Sequence, residues 1–128
     1  MAESGEKVCS RRILCIDDDA HFASLLKCAV ERIGHSVTTF ADAALALDAL
    51  DRAPAAWDLV ITDFQMPGTD GLEVARHLGR HHPKLPFAVI SHHITDAMAR
   101  AAAGAGVRVL LHKPVGLAQF ADLIERAI

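Results

Sequence analysis

The sequence predicts one α/β domain built on an open parallel sheet of five strands, and three features carry that expectation. Short runs rich in β-branched residues alternate five times with helix-like stretches, the pattern of repeated strand-helix units. The central runs "DLVITD" and "FAVIS" are apolar at successive positions, as strands covered by helices on both faces require. A chain of 128 residues, 52% apolar and 23% charged, has material for one ordinary core and too little for two.

Residues 1–11 are polar and aperiodic and read as a flexible lead-in, so the domain proper spans 12–128. "RILCID" is the first strand. The helix that follows, Asp19 to Ile33, can be capped by Asp19, places Phe22, Leu25, Leu26, Ala29, Val30 and Ile33 on one face, and is stopped by Gly34. "HSVTTF" gives the second strand and Ala41 to Ala53 the second helix. Trp57 precedes the third strand, "DLVITD", and is expected to pack at its start. A helix from Gly71 to His82 leads to "FAVIS", a helix from Thr95 to Ala105 leads to "VRVLLH", and Gly116 to Ile128 closes the chain. Leu117, Phe120, Ala121, Leu123, Ile124 and Ile128 form the core stripe of that last helix.

Composition narrows the function. A net charge of -3 offers no basic field for nucleic acid. No apolar run approaches the ~20 residues needed to span a membrane, and no signal peptide is visible. Cys9, Cys15 and Cys28 are odd in number and lack ligand spacing, which fits reduced thiols in a cytoplasm better than a disulfide framework. His81-His82 and His92-His93 also lack fixed ligand spacing and are expected to be solvated loop residues.

In an open parallel sheet, ligands bind beyond the carboxyl ends of the strands, where the strand order reverses. Here the first strand ends in Asp17-Asp18-Asp19, the third in Asp63, the fourth in Ser91 and the fifth in His112-Lys113-Pro114. With the order 2-1-3-4-5, the first and third strands are neighbours and their acids converge. Clustered carboxylates repel one another unless a proton or cation intervenes. A hard divalent ion is the economical solution, and Mg²⁺ (or Mn²⁺) suits a site of carboxylates, waters and a phosphate. Lys113 and Ser91 add a cation and a hydroxyl suited to a dianionic tetrahedral group, so the constellation points to phosphoryl chemistry with a carboxylate nucleophile.

On these residues the chain resembles a response-regulator receiver domain, the phosphoacceptor of two-component phosphorelays. "ILCIDDD", "DLVITDFQMPGTDG", "FAVIS" and "LLHKPV" stand in that family's order and spacing. The resemblance implies a flavodoxin-like (βα)5 doubly wound sheet, order 2-1-3-4-5. It also implies that Asp63 accepts a phosphoryl group from a phosphohistidine. Asp18 and Asp63 would bind Mg²⁺ with the carbonyl of Gln65, and Asp17 would assist. Ser91 would donate to a phosphoryl oxygen, and Lys113 would form an ion pair with it. A cis bond before Pro114 is common in the family. The implied partners are a sensor histidine kinase or histidine phosphotransfer protein and an effector domain or downstream protein.

Three positions depart from the family pattern: His92 where a small residue is usual, Leu110 where an aromatic is usual, and Val115 where Phe is frequent. Leu110 suggests an altered readout, and bulky His92 suggests restricted access to the site. A degenerate receiver acting as an interaction module without phosphorylation is therefore an alternative. A second is a haloacid-dehalogenase-like phosphatase with Asp17 as nucleophile, though His21 stands where Thr or Val is usual there. A flavin-binding relative is disfavoured, since three acids after the first strand would repel a ligand phosphate.

Overall fold

The computed structural model describes residues 10–66, 70–113 and 116–127. β1 (Arg12–Ile16), β2 (Ser36–Phe40), β3 (Leu59–Asp63), β4 (Phe87–Ser91) and β5 (Val109–His112) form one sheet in the order β2-β1-β3-β4-β5. All four pairings are parallel. The helices are α1 (Ala20–Arg32), α2 (Ala43–Arg52), α3 (Gly71–His81), α4 (Asp96–Gly104) and α5 (Leu117–Ala127). The predicted architecture and strand order are both present.

Strand alternation divides the core into two layers. Ile13 and Cys15 of β1 face α1 and α5, meeting Leu26, Val30, Phe120, Leu123 and Ile124. Leu14 and Ile16 face α2 and α3, meeting Ala46, Leu50, Val74 and Leu78. Both faces are dry, which is why the central strands carry uninterrupted apolar runs. α4 packs beside α3 and buries only Ala102 among its residues. Among the described residues, no helix is long and apolar enough to cross a membrane.

The ends of the elements follow local chemistry. Asp19, Asp42, Asp70 and Thr95 cap α1 to α4 by accepting from backbone N–H groups two or three residues on, each bond being worth about 1 kcal/mol. Gly34, at φ 94°, ends α1 in a conformation that a side chain would strain. β5 starts later than the expected Val107, because the Val107 N–H closes the end of α4 on the Ala102 carbonyl. A 3-10 turn at Pro54–Ala56, which periodicity does not reveal, carries the chain from α2 to Trp57. Leu25 is 55% exposed and not part of the core stripe, since Ala23, Leu26 and Val30 rotate the buried face of α1 away from it. Of the expected lead-in only Ser10 and Arg11 fall among the described residues; Ile128, Pro114 with its expected cis bond, and Val115 lie outside them.

Candidate functional site

Register brings the acids together. Ile16 pairs with Thr62, so the next residue on each chain, Asp17 and Asp63, stand level at the carboxyl ends of β1 and β3. Asp17 is tied to the sheet by its N–H to the Phe40 carbonyl at 2.9 Å. Asp17, Asp18 and Asp63 each offer a carboxylate oxygen, all within 4.8 Å of one another. Asp17 and Asp63 are buried while Asp18 is exposed, which leaves the cluster open to solvent on one side.

The two buried acids are engaged differently. Asp17 uses both oxygens: Oδ2 accepts from Lys113 Nζ at 2.7 Å, and Oδ1 accepts from the Asp19 N–H at 2.9 Å. Asp63 is the freer acid, with Oδ1 at 3.4 Å from the Gln65 N–H and Oδ2 at 3.7 Å from Lys113 Nζ. Burial pushes the Asp63 carboxyl above its ordinary pKa, and the charges of Asp17 and Asp18 add to the effect. Lys113 and the Gln65 N–H oppose the rise without cancelling it. Three carboxylates against one ammonium are thus an unbalanced set, and a hard cation coordinated by oxygen fits it.

Lys113 reaches the cluster because its own N–H is held by the Ser91 carbonyl at 2.8 Å, extending the β4–β5 ladder by one residue. Its ammonium lies 4.1 Å from the ring centroid of Phe22, which covers it from the first turn of α1. The Ser91 hydroxyl, fully buried, is turned onto its own loop, donating to the His93 carbonyl at 3.1 Å and accepting from the His93 N–H at 3.3 Å. Gly71 permits the close approach of α3 to the end of β3. Its N–H donates to the Phe64 carbonyl at 2.6 Å, and a Cβ there would stand 2.8 Å from the Phe64 Cα.

The structure therefore brings Asp17, Asp18, Asp63 and Lys113 into one cluster, with Gln65 at its rim. Ser91 ends the adjacent strand but points to His93. Sequence reasoning missed Phe22 as the cover of Lys113, although its place in the first turn after the acid triplet was the available signal. His92 and His93 are exposed, as expected. His82 is not a solvated loop residue: its N–H caps α3 on the Leu78 carbonyl, and its side chain, 11% exposed, bonds Asp51. Trp57 packs against the second core layer as expected, but its indole N–H has no partner among the described residues. It lines a groove of about 620 Å³ with Arg11, Asp58, His82 and Pro83, a groove to which Asp17, Asp18 and Asp63 do not contribute.

Residues 13–125 match the family described as Response regulator receiver domain. The DNA-binding transcriptional regulator NtrC of Escherichia coli K12 is 34% identical over 114 residues, covering 88% of this chain and 24% of that protein. The sensor histidine kinase GacS of Pseudomonas protegens is 31% identical over 130 residues, covering 96% of this chain and 14% of that protein. The chain thus spans a quarter or less of these relatives. Among solved structures, a response regulator receiver domain protein from Clostridium thermocellum superposes with a TM-score of 0.87 at 27% identity, covering 92% of this chain and 94% of that one. The chemotaxis protein CheY4 of Vibrio cholerae shares the fold, with a TM-score of 0.86 at 20% identity over 94% of this chain and 100% of that one. A family match over nearly all of the described chain, on a sheet of the expected order, means that this chain belongs to the response regulator receiver domains of two-component signalling.

Proposed function

We propose that the chain is a phosphoacceptor switch in which Asp63 takes a phosphoryl group from a phosphohistidine. The unequal engagement of the two buried acids carries this reading. Both oxygens of Asp17 are occupied, whereas Asp63 keeps its carboxylate free enough to attack. An Asp63 oxygen forms the new bond to phosphorus, the phosphorus–nitrogen bond of the donor breaks, and the imidazole leaves with the electron pair. Asp18, Asp63 and the Gln65 carbonyl would hold Mg²⁺ (or Mn²⁺), with Asp17 assisting. The ion would supply neutralisation of charge on the phosphoryl oxygens as they approach the acids.

The product replaces one carboxylate with a group of higher charge and more acceptors. Lys113, already 3.7 Å from Asp63, would gain a stronger anion than Asp17. Ser91 would turn its hydroxyl from the His93 carbonyl to a phosphoryl oxygen, freeing the β4–α4 loop. The face built from α4, β5 and α5 would then respond. A sensor histidine kinase or histidine phosphotransfer protein is the proposed donor, in line with the name of GacS. An effector domain or downstream protein is the proposed target, in line with the name of NtrC. The net charge of -3 offers no basic field for direct nucleic-acid contact, and three cysteines without ligand spacing fit a reducing cytoplasm.

Incubation with a small phosphodonor and Mg²⁺ should add one acid-stable, base-labile phosphoryl group. Asp63→Asn should abolish it. The same treatment tests the rivals: no labelling from a small donor or a histidine kinase supports the interaction module that His92 and Leu110 suggested, and labelling lost in Asp17→Asn but kept in Asp63→Asn supports the phosphatase.

A further inference from the structure

A second cluster of chemically capable side chains lies at the other end of α3. Asp51, near the end of α2, faces His77 of α3 and His82, the residue that caps α3. His77 Nε2 is 2.9 and 3.1 Å from the two Asp51 oxygens, and His82 Nε2 is 2.7 Å from Oδ1. One ligand atom from each of the three residues falls within 4.8 Å of the other two. α3 begins at Gly71, against the end of β3, and its 11 residues carry the chain roughly 16 Å away from it. The cluster has no part in the phosphoacceptor site.

We propose that Asp51, His77 and His82 form a transition-metal site, selective for an imidazole-seeking ion such as Zn²⁺. The donor set is two imidazole nitrogens and one carboxylate, a three-ligand combination that leaves a position for water. The spacing is near that of a coordination shell. Bonds of about 2.0 Å in a tetrahedron place ligand atoms roughly 3.3 Å apart, so the two Nε2 contacts to Asp51 Oδ1, now 2.9 and 2.7 Å, need open by roughly half an ångström. The shell is also held in place from outside. His77 and His82 are 25% and 11% exposed, the backbone N–H of His82 is fixed on the Leu78 carbonyl, and Asp51, 45% exposed, leaves a route in from solvent.

His81 adds a third imidazole at the rim. It follows His77 by one helical turn, and the two rings lie 4.6 Å apart between centroids. Two histidines at this spacing on a helix present their nitrogens on the same face, as helical zinc-binding pairs do. Softness separates this site from the acid cluster, whose side-chain ligand atoms are carboxylate oxygens: oxygen ligands suit Mg²⁺, while imidazole favours Zn²⁺ and its neighbours. An ion here would clip α2 to the end of α3, on the side of the sheet away from α1 and α5. If the three residues were merely hydrogen-bonded to one another, their removal would change stability without changing affinity for any ion.

Calorimetric titration of tag-free protein with Zn²⁺, in excess Mg²⁺, should show one equivalent bound at micromolar or tighter affinity. His77→Ala, His82→Ala and Asp51→Asn should each weaken binding by at least about tenfold, since loss of even an outer partner of a metal ligand costs that much. His81→Ala should weaken it less, and Asp18→Asn should leave it unchanged. Histidine C–H resonances of the unmutated protein give a readout independent of how the variants fold: Zn²⁺ should shift those of His77 and His82 and spare His92 and His93. Equal Zn²⁺ affinity in the wild type and the histidine variants, loss of binding in Asp18→Asn, or shifts confined to other histidines would overturn the assignment.

Discussion

Lys113 is ion-paired with Asp17 at 2.7 Å and stands 3.7 Å from Asp63. Both partners of the closer pair have side chains 1% exposed, so neither charge is solvated. Removing one partner of such a pair strands the other charge in a low-dielectric site, at a cost of about 3–5 kcal/mol. Lys113→Met should therefore lower the urea midpoint well beyond the effect of a surface lysine change, in addition to impairing phosphorylation. An unchanged midpoint would mean that the pair is not buried in solution.

Asp63 should be a stability cost in the absence of a cation. Its folded pKa lies above the ordinary 3.8, through burial and the charge of Asp17. The ionised form is therefore disfavoured in the fold at neutral pH. That penalty is relieved as pH falls through the raised folded value toward 3.8. In chelator-treated protein, Asp63→Asn should melt higher than wild type at neutral pH, with the gap narrowing on acidification. A lower melting temperature for the variant would contradict this account of the site.

His35 should make the fold acid-sensitive. Its Nδ1 accepts the Arg11 N–H at 2.9 Å, which requires the unprotonated nitrogen, and burial, with the charge of Arg11, lowers its pKa below the ordinary 6.5. For a depressed folded pKa, the stability is present above 6.5 and lost as pH falls through the folded value. Wild type should thus lose more stability than His35→Asn on passing from about pH 7 to about pH 5. Parallel pH profiles for the two proteins would remove His35 as the cause.

Gly71 should tolerate no side chain. A Cβ would meet the Phe64 Cα at 2.8 Å and the Asp63 carbonyl at 2.9 Å, both backbone atoms that cannot rotate away. Gly71→Ala should cost about 1–3 kcal/mol by displacing α3 or the end of β3. It should slow phosphorylation as well, because the displaced segment carries Asp63. Wild-type stability and labelling rate together would show that the contact relaxes freely.

Much of this was legible in the residues. Five apolar runs gave the strands, and the residue types closing them placed Asp17, Asp18, Asp63 and Lys113 at one edge, because in a parallel sheet position along a strand fixes position in space. The pairing of Lys113 with Asp17 was not legible, since it depends on side-chain reach across the sheet. Nor was the turning of Ser91 toward His93, which follows from the path of the loop. The meeting of Asp51, His77 and His82 was not legible, and His82 was read as a solvated loop residue, because the three come from two helices and a cap that only the fold brings together. Leu25 was misplaced because helical periodicity alone cannot choose between two adjacent faces that share most of their residues.

The central claim is that Asp63, and not its buried neighbour Asp17, is the nucleophile. Borohydride reduces an aspartyl phosphate to homoserine, so peptide mapping of protein treated with a phosphodonor and Mg²⁺ and then reduced reads out the modified carboxylate directly. The account predicts homoserine in place of Asp63, dependent on phosphodonor. Homoserine in place of Asp17, or none in protein that has demonstrably encountered a competent phosphohistidine donor, would contradict it.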